Sequence, residues 1–304
     1  MAIEWRSNDG VYLPMINDGG RNRFYKAALE AKAPGKTVVD IGSGTGFLTI
    51  LACHAGAKHV IAVEQDPERA QLTQENVNLC GFQDRVTVIN ANWMDINVAG
   101  DIYVSETICT NLWNEKILEI SEHAIRNGGE FIPGRFDYKF QVYKNHPLFA
   151  VVQSSSEAYD FEPEIAIDEK FEEAIRQKVR DDNVKYRQNA IFNLFQAANR
   201  SPADMKPVMD ALELVHETEW FTVDLNQPNH CDYKQFEHQI NLKDLPKAHG
   251  YCILLTWRAV TGDIVMEHWD TIFGTPSKII PNPDYSVVNT SYELLGNQWY
   301  FRYE

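Results

Sequence analysis

The sequence offers no run of about twenty uncharged apolar residues, so none of it reads as a membrane-spanning helix. Its first residues, MAIEWRSNDG, lack the basic, apolar and small-residue succession of a secretory signal, and the expected address is the cytoplasm, with no membrane partner. Cysteine is sparse as well. Cys53, Cys80, Cys109, Cys231 and Cys252 are odd in number, scattered, and include no CxxC pair, which argues against a disulfide framework or a zinc site; no metal is expected. Positive charge is the third shortage: 28 Lys and Arg face 43 Asp and Glu, a net charge of −15. A polyanionic partner such as nucleic acid is thereby disfavoured, whereas a cationic substrate would be drawn in.

What remains is a chain of 304 residues with 44% hydrophobic content, enough for one large domain or two ordinary ones. From Thr37 to Gly134, short β-branched runs (TVVDI, HVIAVE, VTVIN, DIYVSE) alternate with helical stretches, the pattern of strand–helix–strand units and a parallel sheet. One helix is sharply delimited. Asp66 suits its cap, Pro67 its first turn and Gly81 its end. Residues from Asp160 to about Leu214 read as helical and charged, with FEEAIRQKV and NAIFNLFQAA as apolar stripes. Beyond them EWFTVDL, FEHQINL, YCILLTWRAV and HWDTIF read as antiparallel strands. The expected class is α/β. A parallel-sheet domain occupies residues 1–134, and a β-rich domain occupies 135–304 with a helical arm or lid at about 160–214.

The most informative stretch is VVDIGSGTGFLTILACHAGAKHVIAVEQD. A strand ending at Asp40-Ile41 feeds the turn Gly42-Ser43-Gly44-Thr45-Gly46, and a helix follows. Bare backbone there lets a ligand approach closely, with main-chain amides and a helix N-terminus expected to face it. The next strand ends in Glu64, whose carboxylate is placed to accept both hydroxyls of a ribose. The spacing is GxGxG and no P-loop lysine follows, so a nucleoside fits better than a pyrophosphate. A tight strand-to-helix turn with an unemployed acid would be the ordinary alternative, and it explains the combination less well.

DIGSGTG followed by VIAVE resembles the nucleoside-binding motifs of S-adenosylmethionine-dependent methyltransferases, and further residues narrow the likeness. Met15, Asp18 and Arg21 are spaced as in the M-x-x-D-x-x-R helix of the protein arginine methyltransferases. SETICTNLWNE, carrying Glu106 and Glu115, is similar to that family's double-glutamate loop, including its nine-residue separation. GGEFIPGR resembles the family's passage into a β-barrel, and Glu267-His268-Trp269 its Thr-His-Trp loop. The resemblance spans roughly residues 12–273 in the right order.

It implies a Rossmann-like sheet followed by a β-barrel-like domain, S-adenosyl-L-methionine as cofactor, and a homodimer. Arg21 would pair with the cofactor's carboxylate. Met15, Asp40, Gly42, Ser43, Gly44 and Glu64 would surround the rest of it, and Trp93, Met94 and Asp95 would lie at the adenine. The family usually has an acid at the Met94 position. Glu106, Glu115, His268 and Asp18 would be catalytic, with Asp18 orienting the imidazole and Trp269 walling the substrate pocket.

The two glutamates make chemical sense in this light. At roughly 3.6 residues per turn, a continuous helix would put positions nine apart on opposite faces. The chain between them must therefore bend, and the β-branched Thr107, Ile108 and Thr110 favour that. A guanidinium arrives as a cation with five donors and no acceptor. Bringing it beside a sulfonium in a shielded site demands counter-charge, which two carboxylates supply. Bidentate hydrogen bonds would orient the guanidinium plane, and Glu115 or Glu106 would take the proton that must leave.

Taken singly, each acid also has an ordinary role: Glu115 precedes a helix, where negative charge is favoured anyway. The acceptor is an arginine in a protein, in a peptide or free. Two alternatives stay open: another amine or guanidino metabolite as acceptor, or a cofactor-binding partner subunit without activity. A nicotinamide-dependent oxidoreductase is disfavoured by the glycine spacing. Thr107-Ile108 stands where the family has Trp-Met, and Ile117 replaces a pocket methionine, so product specificity does not carry over.

Overall fold

The computed structural model describes residues 15–108, 115–144, 213–228, 235–238, 241–248, 250–271, 277–281, 287–293 and 298–303. Most of the expected arm, including FEEAIRQKV and NAIFNLFQAA, lies outside these residues, as do Cys109 and Cys231. The chain forms two compact units. One comprises Met1–Asp137, Thr222–Asp232 and Arg258–Ile272, the other Tyr138–Phe221, Tyr233–Trp257 and Phe273–Glu304. The division is not colinear, because two later segments return to the first unit.

The first unit opens with α1 (Gly19–Lys32), capped by Asp18, whose carboxylate accepts from the Arg21 amide. Arg21, Phe24, Tyr25, Ala28 and Leu29 form its buried stripe, the three-and-four spacing of one helix face. Next come β1 (Thr37–Ile41), α2 (Phe47–His54), β2 (His59–Glu64), α3 (Pro67–Leu79), β3 (Val86–Asn90), a 3₁₀ turn (Trp93–Asp95), β4 (Ile102–Val104), α4 (Ile117–Arg126) and β5 (Glu130–Ile132). The helix announced by Asp66 and Pro67 is α3; the Asp66 carboxylate accepts from the amides of Glu68 and Arg69.

The five strands pair in the order β3-β2-β1-β4-β5, every pair parallel. Val38, Val39, Val60, Ala62, Ile102, Tyr103 and Val104 are buried, the near-continuous apolar reading of a sheet covered on both faces. The strand order reverses beside β1, and ligands of open α/β sheets bind at the carboxyl ends of strands near such a point. Glu64 ends β2, the glycine turn follows β1, and Ser105-Glu106 follow β4.

β6 (Arg135–Lys144) and β10 (Gly250–Thr261) each begin in one unit and end in the other. Within the first unit, β10 turns at Gly262 into β11 (Ile264–Glu267), pairing Arg258 with Glu267 and Thr261 with Ile264. HWDTIF, expected as a strand, begins instead with a 3₁₀ turn over His268–Asp270, in which the Glu267 amide donates to Asp270 Oδ2 at 3.2 Å. The Asp270 carboxylate claims the amide at the end of the strand, and the ladder stops there. β8 (Phe221–Asp224) contributes Thr222, whose hydroxyl donates to Asp137 Oδ1 at 2.8 Å, while Arg258 donates to Asp137 Oδ2 at 2.9 Å.

The second unit is antiparallel. β6 pairs β7 (Glu213–Glu217), β10 pairs β12 (Ser277–Pro281), and β9 (Gln235–His238), β13 (Val287–Glu293) and β14 (Gln298–Tyr303) form a separate sheet. Lys139 anchors part of it, 2.7 Å from Glu217 and 4.7 Å above the Trp220 ring. The described architecture is thus α/β, a Rossmann-like parallel sheet with a second, antiparallel domain. No described helix is long and apolar enough to cross a membrane.

Candidate active site

The glycine turn is held from β2. Gly42 N and Ser43 N both donate to Val63 O, at 2.9 and 3.1 Å, and Gly46 N donates to Ser43 O at 2.7 Å. Gly44 N donates to Glu64 Oε2 at 2.9 Å, and Asp66 N to Glu64 Oε1 at 3.0 Å. This corrects the expectation that the turn offers its amides to a ligand: those of residues 42, 43, 44 and 46 are engaged within the protein. What the turn offers is bareness. Gly42 has φ 76°, and an added Cβ would meet nothing within 4 Å, so that backbone borders open space. Glu64 is buried, yet each of its carboxylate oxygens keeps a lone pair for a further donor.

Glu106 owes its place to Ser105. That residue is buried, donates its hydroxyl to Ile41 O at 2.7 Å, and accepts the Tyr25 hydroxyl on its carbonyl at 2.9 Å. The next side chain is thereby delivered between β1 and α1. Glu106 Oε2 lies 2.8 Å from Arg21 Nη1, and the guanidinium stands 5.9 Å from the centroid of the Phe47 ring. Glu106 Oε1 is buried and has no hydrogen-bond partner among the described residues.

These pieces enclose a cavity of about 410 Å³ lined by Met15, Arg21, Asp40, Gly42, Ser43, Gly44, Glu64, Glu106 and Glu115, among others. Both glutamates of the SETICTNLWNE loop face this one space, although residues 109–114 between them lie outside the described part. A second cavity of about 300 Å³ includes Gly42, Glu64, Thr107 and Glu115 in its lining and adds Trp93, Met94, Lys116 and Ile120. Trp93 is braced edge-on by His123, with ring centroids 5.5 Å apart.

Burial controls the charges. It pushes Glu106 up to about 8, with Arg21 pulling it down and Glu115, Asp18 and Asp40 adding to the rise. Glu115 is raised by burial too. Asp40 is pushed up to about 7 by burial, although the Thr49 hydroxyl donates to its Oδ2 at 2.6 Å. A carboxyl 2.8 Å from a guanidinium has ion-pair geometry; Arg21 is what favours its charge against desolvation.

Other expected residues fall elsewhere. Asp95 is exposed and lines neither cavity. Asp18 and His268 are buried at 4% and 3% exposure, and neither lines these two cavities. Their segments do meet: the Thr271 hydroxyl donates to Asp18 Oδ2. The Trp269 side chain lies outside the described part. Sequence reasoning passed over Thr271, Phe47 and Gly20. Phe47 could have been suspected from its place directly after the glycine turn, whereas Thr271 carried no local signal. Among the described residues no His, Cys, Asp and Glu cluster could hold a metal.

Comparison with known proteins shows what the chain is similar to. A family model described as Ribosomal protein L11 methyltransferase (PrmA) matches residues 26–133. Protein arginine N-methyltransferase 7 of Danio rerio is 32% identical over 161 residues, 47% of this chain and 24% of that protein. Arginine N(omega)-methyltransferase of Streptomyces achromogenes subsp. streptozoticus is 33% identical over 133 residues, 40% of this chain and 37% of that protein. The matches thus span about a quarter to a third of these relatives' lengths. The Trypanosoma brucei PRMT1 enzyme-prozyme complex with AdoHcy superposes with TM-score 0.57 at 18% identity, over 93% of this chain and 86% of that one. In sequence over somewhat less than half of its length, and in fold over nearly its whole length, the chain resembles the arginine N-methyltransferases.

Proposed function

We propose that this protein transfers a methyl group from S-adenosylmethionine to a guanidinium nitrogen of arginine. The observation that carries the reading is that Glu106 and Glu115 line one cavity with Arg21, Gly42 and Glu64. The cavity suits the cofactor. A Cβ at Gly42 would protrude into open space, Glu64 retains acceptor capacity for ribose hydroxyls, and Arg21 supplies a cation for a carboxylate. Met15, Asp40, Ser43 and Gly44 would complete that cradle, with Trp93 and Met94 at the base in the adjoining cavity. When bound, S-adenosylmethionine supplies an electrophilic methyl group carried on a positive sulfur.

The chain's own residues do the rest. Glu106 and Glu115 counter the positive charge of the incoming guanidinium and hold its plane by paired hydrogen bonds. The reacting nitrogen loses a proton as it gains the methyl, and Glu106, whose buried Oε1 has no hydrogen-bond partner among the described residues, takes it. His268, oriented by Asp18, and Trp269 complete the substrate side of this reading. It also carries a homodimer, a cytoplasmic setting and no nucleic-acid or membrane partner; the net charge of −15 supports the lack of a polyanionic one.

Free arginine is a second acceptor to weigh against arginine in a protein or peptide, because the Streptomyces relative is named for arginine itself. Incubation with S-adenosylmethionine and, in parallel, free arginine, an arginine-rich peptide and a lysine control, read by mass spectrometry, tests the proposal. Methyl addition to arginine in either form supports it. Transfer only to other amines, or cofactor binding without turnover, would overturn it.

A further inference from the structure

Thr271 lies outside every motif noted in the sequence, yet it is buried at 1% exposure with its hydroxyl donated to Asp18 Oδ2, 253 positions away in sequence. The other oxygen of that carboxylate, Oδ1, accepts the Arg21 amide at 3.1 Å and so caps α1. One carboxylate therefore serves two elements. A second contact reinforces the junction. A Cβ built on Gly20 would stand 1.4 Å from the Asp270 carbonyl oxygen and 2.4 Å from its carbon. These are backbone atoms, which do not rotate aside, so the first turn of α1 lies directly on the 3₁₀ turn His268–Asp270. The two turns joined in this way carry buried His268 and Arg21, the latter paired with Glu106.

We propose that Thr271 is a positioning residue. Its hydrogen bond to Asp18, seated by the bare backbone of Gly20 against Asp270, locks the His268 turn to the helix start that presents Arg21 to Glu106. The inference rests on the reading of Glu106 and Arg21 as parts of a methyl-transfer site, but its geometry stands apart from that reading. Thr271 lines neither of the two cavities described above; it acts through Asp18 and α1. Losing the hydroxyl removes one of the contacts that hold the Asp18 carboxylate, which loosens the cap on the Arg21 amide and shifts the guanidinium against Glu106. A misplacement of about 1 Å costs on the order of a hundredfold in rate when it displaces reacting groups.

The test uses the full-length protein with Thr271→Val, which keeps the shape and removes the donor, and Thr271→Ser, which restores it. For Thr271→Val, turnover on the arginine acceptor should fall roughly 10- to 100-fold, and S-adenosylhomocysteine should bind more weakly by calorimetry, because Arg21 is also the cation offered to the cofactor's carboxylate. Thr271→Ser should recover most of the rate. In parallel, hydrogen–deuterium exchange should quicken in both the 15–22 and 264–271 segments of Thr271→Val and return to normal in Thr271→Ser. Full turnover in Thr271→Val, or unaltered exchange over 15–22, would overturn the proposal. If the wild-type protein methylates no arginine acceptor, the functional reading fails, and the exchange comparison alone decides the positioning role.

Discussion

Arg21 Nη1 stands 2.8 Å from Glu106 Oε2, with the two side chains 4% and 10% exposed, so each is the principal counter-charge of the other in a dry setting. Breaking one side of such a pair leaves a buried charge without compensation, at about 3–5 kcal/mol. Arg21→Met should therefore lower the melting temperature markedly. Adding Glu106→Gln to that variant should recover much of the loss, because the stranded carboxyl is gone. Thermal denaturation of the two single variants and the double variant completes the cycle; strictly additive losses would refute the coupling.

The raised value of Glu106, about 8, carries a pH signature. The base must be ionised to accept a proton, so kcat/KM for the arginine acceptor should climb with pH and level off near that value. Glu106→Gln should abolish turnover while S-adenosylhomocysteine still binds. A flat profile between pH 6 and 9 would remove Glu106 from the role of base.

Asp40 makes the matching statement about stability. Its folded value, about 7, lies above the ordinary carboxylate value of 3.8. The folded state thus holds its proton more tightly, and this stabilisation is complete below the ordinary value and lost as pH rises through about 7. Asp40→Asn, neutral throughout, should escape this loss, so a gap from wild type opens between the ordinary value and about 7, to a few kcal/mol at roughly 1.4 kcal/mol per unit, and stays level above it. Melting curves at about pH 4 and about pH 8 measure that gap, which should favour the variant at the higher pH.

Gly42 and Gly35 separate strain from occlusion. Both have positive φ, 76° and 73°, and at neither would an added Cβ touch anything within 4 Å. Each substitution to Ala should cost about 1–2 kcal/mol of backbone strain. Only Gly42 lines the cavities, so only Gly42→Ala should also weaken S-adenosylhomocysteine binding, by tenfold or more at about 1.4 kcal/mol per decade. Equal binding by the two variants would show that the turn does not border the ligand.

Glu115 follows directly on residues 109–114 and lines both cavities. Glu115→Gln should lower turnover by roughly a hundredfold or more, the scale of a lost acid–base or orienting group, while the folded protein still binds S-adenosylhomocysteine. Unchanged kcat would mean that this carboxylate serves only the start of α4.

Local chemistry was plain in the sequence wherever a few neighbouring residues decide the backbone. Asp66, Pro67 and Gly81 bracket α3 because a cap, a fixed φ and a left-handed end act within one turn. β1 to β4 were equally legible, since doubly covered strands read as short apolar β-branched runs, whereas the three-residue β5 was read only as part of the GGEFIPGR passage. The HWDTIF stretch was misread for the opposite reason: the Asp270 carboxylate takes the Glu267 amide and ends the strand, a competition that residue type alone does not reveal.

By itself the amino-acid order determined an α/β chain with a bare glycine turn, an acid at the end of the next strand and a pair of spaced glutamates. Tertiary structure alone decided that the turn's amides face inward to Val63 and Glu64, that Asp95 stays at the surface, and that Arg21 meets Glu106. It also decided that Thr271 reaches Asp18. Caps and turns are settled by atoms a few residues apart, whereas these contacts form only when packed elements bring distant segments within hydrogen-bond range, and desolvation then sets which of their groups carry charge.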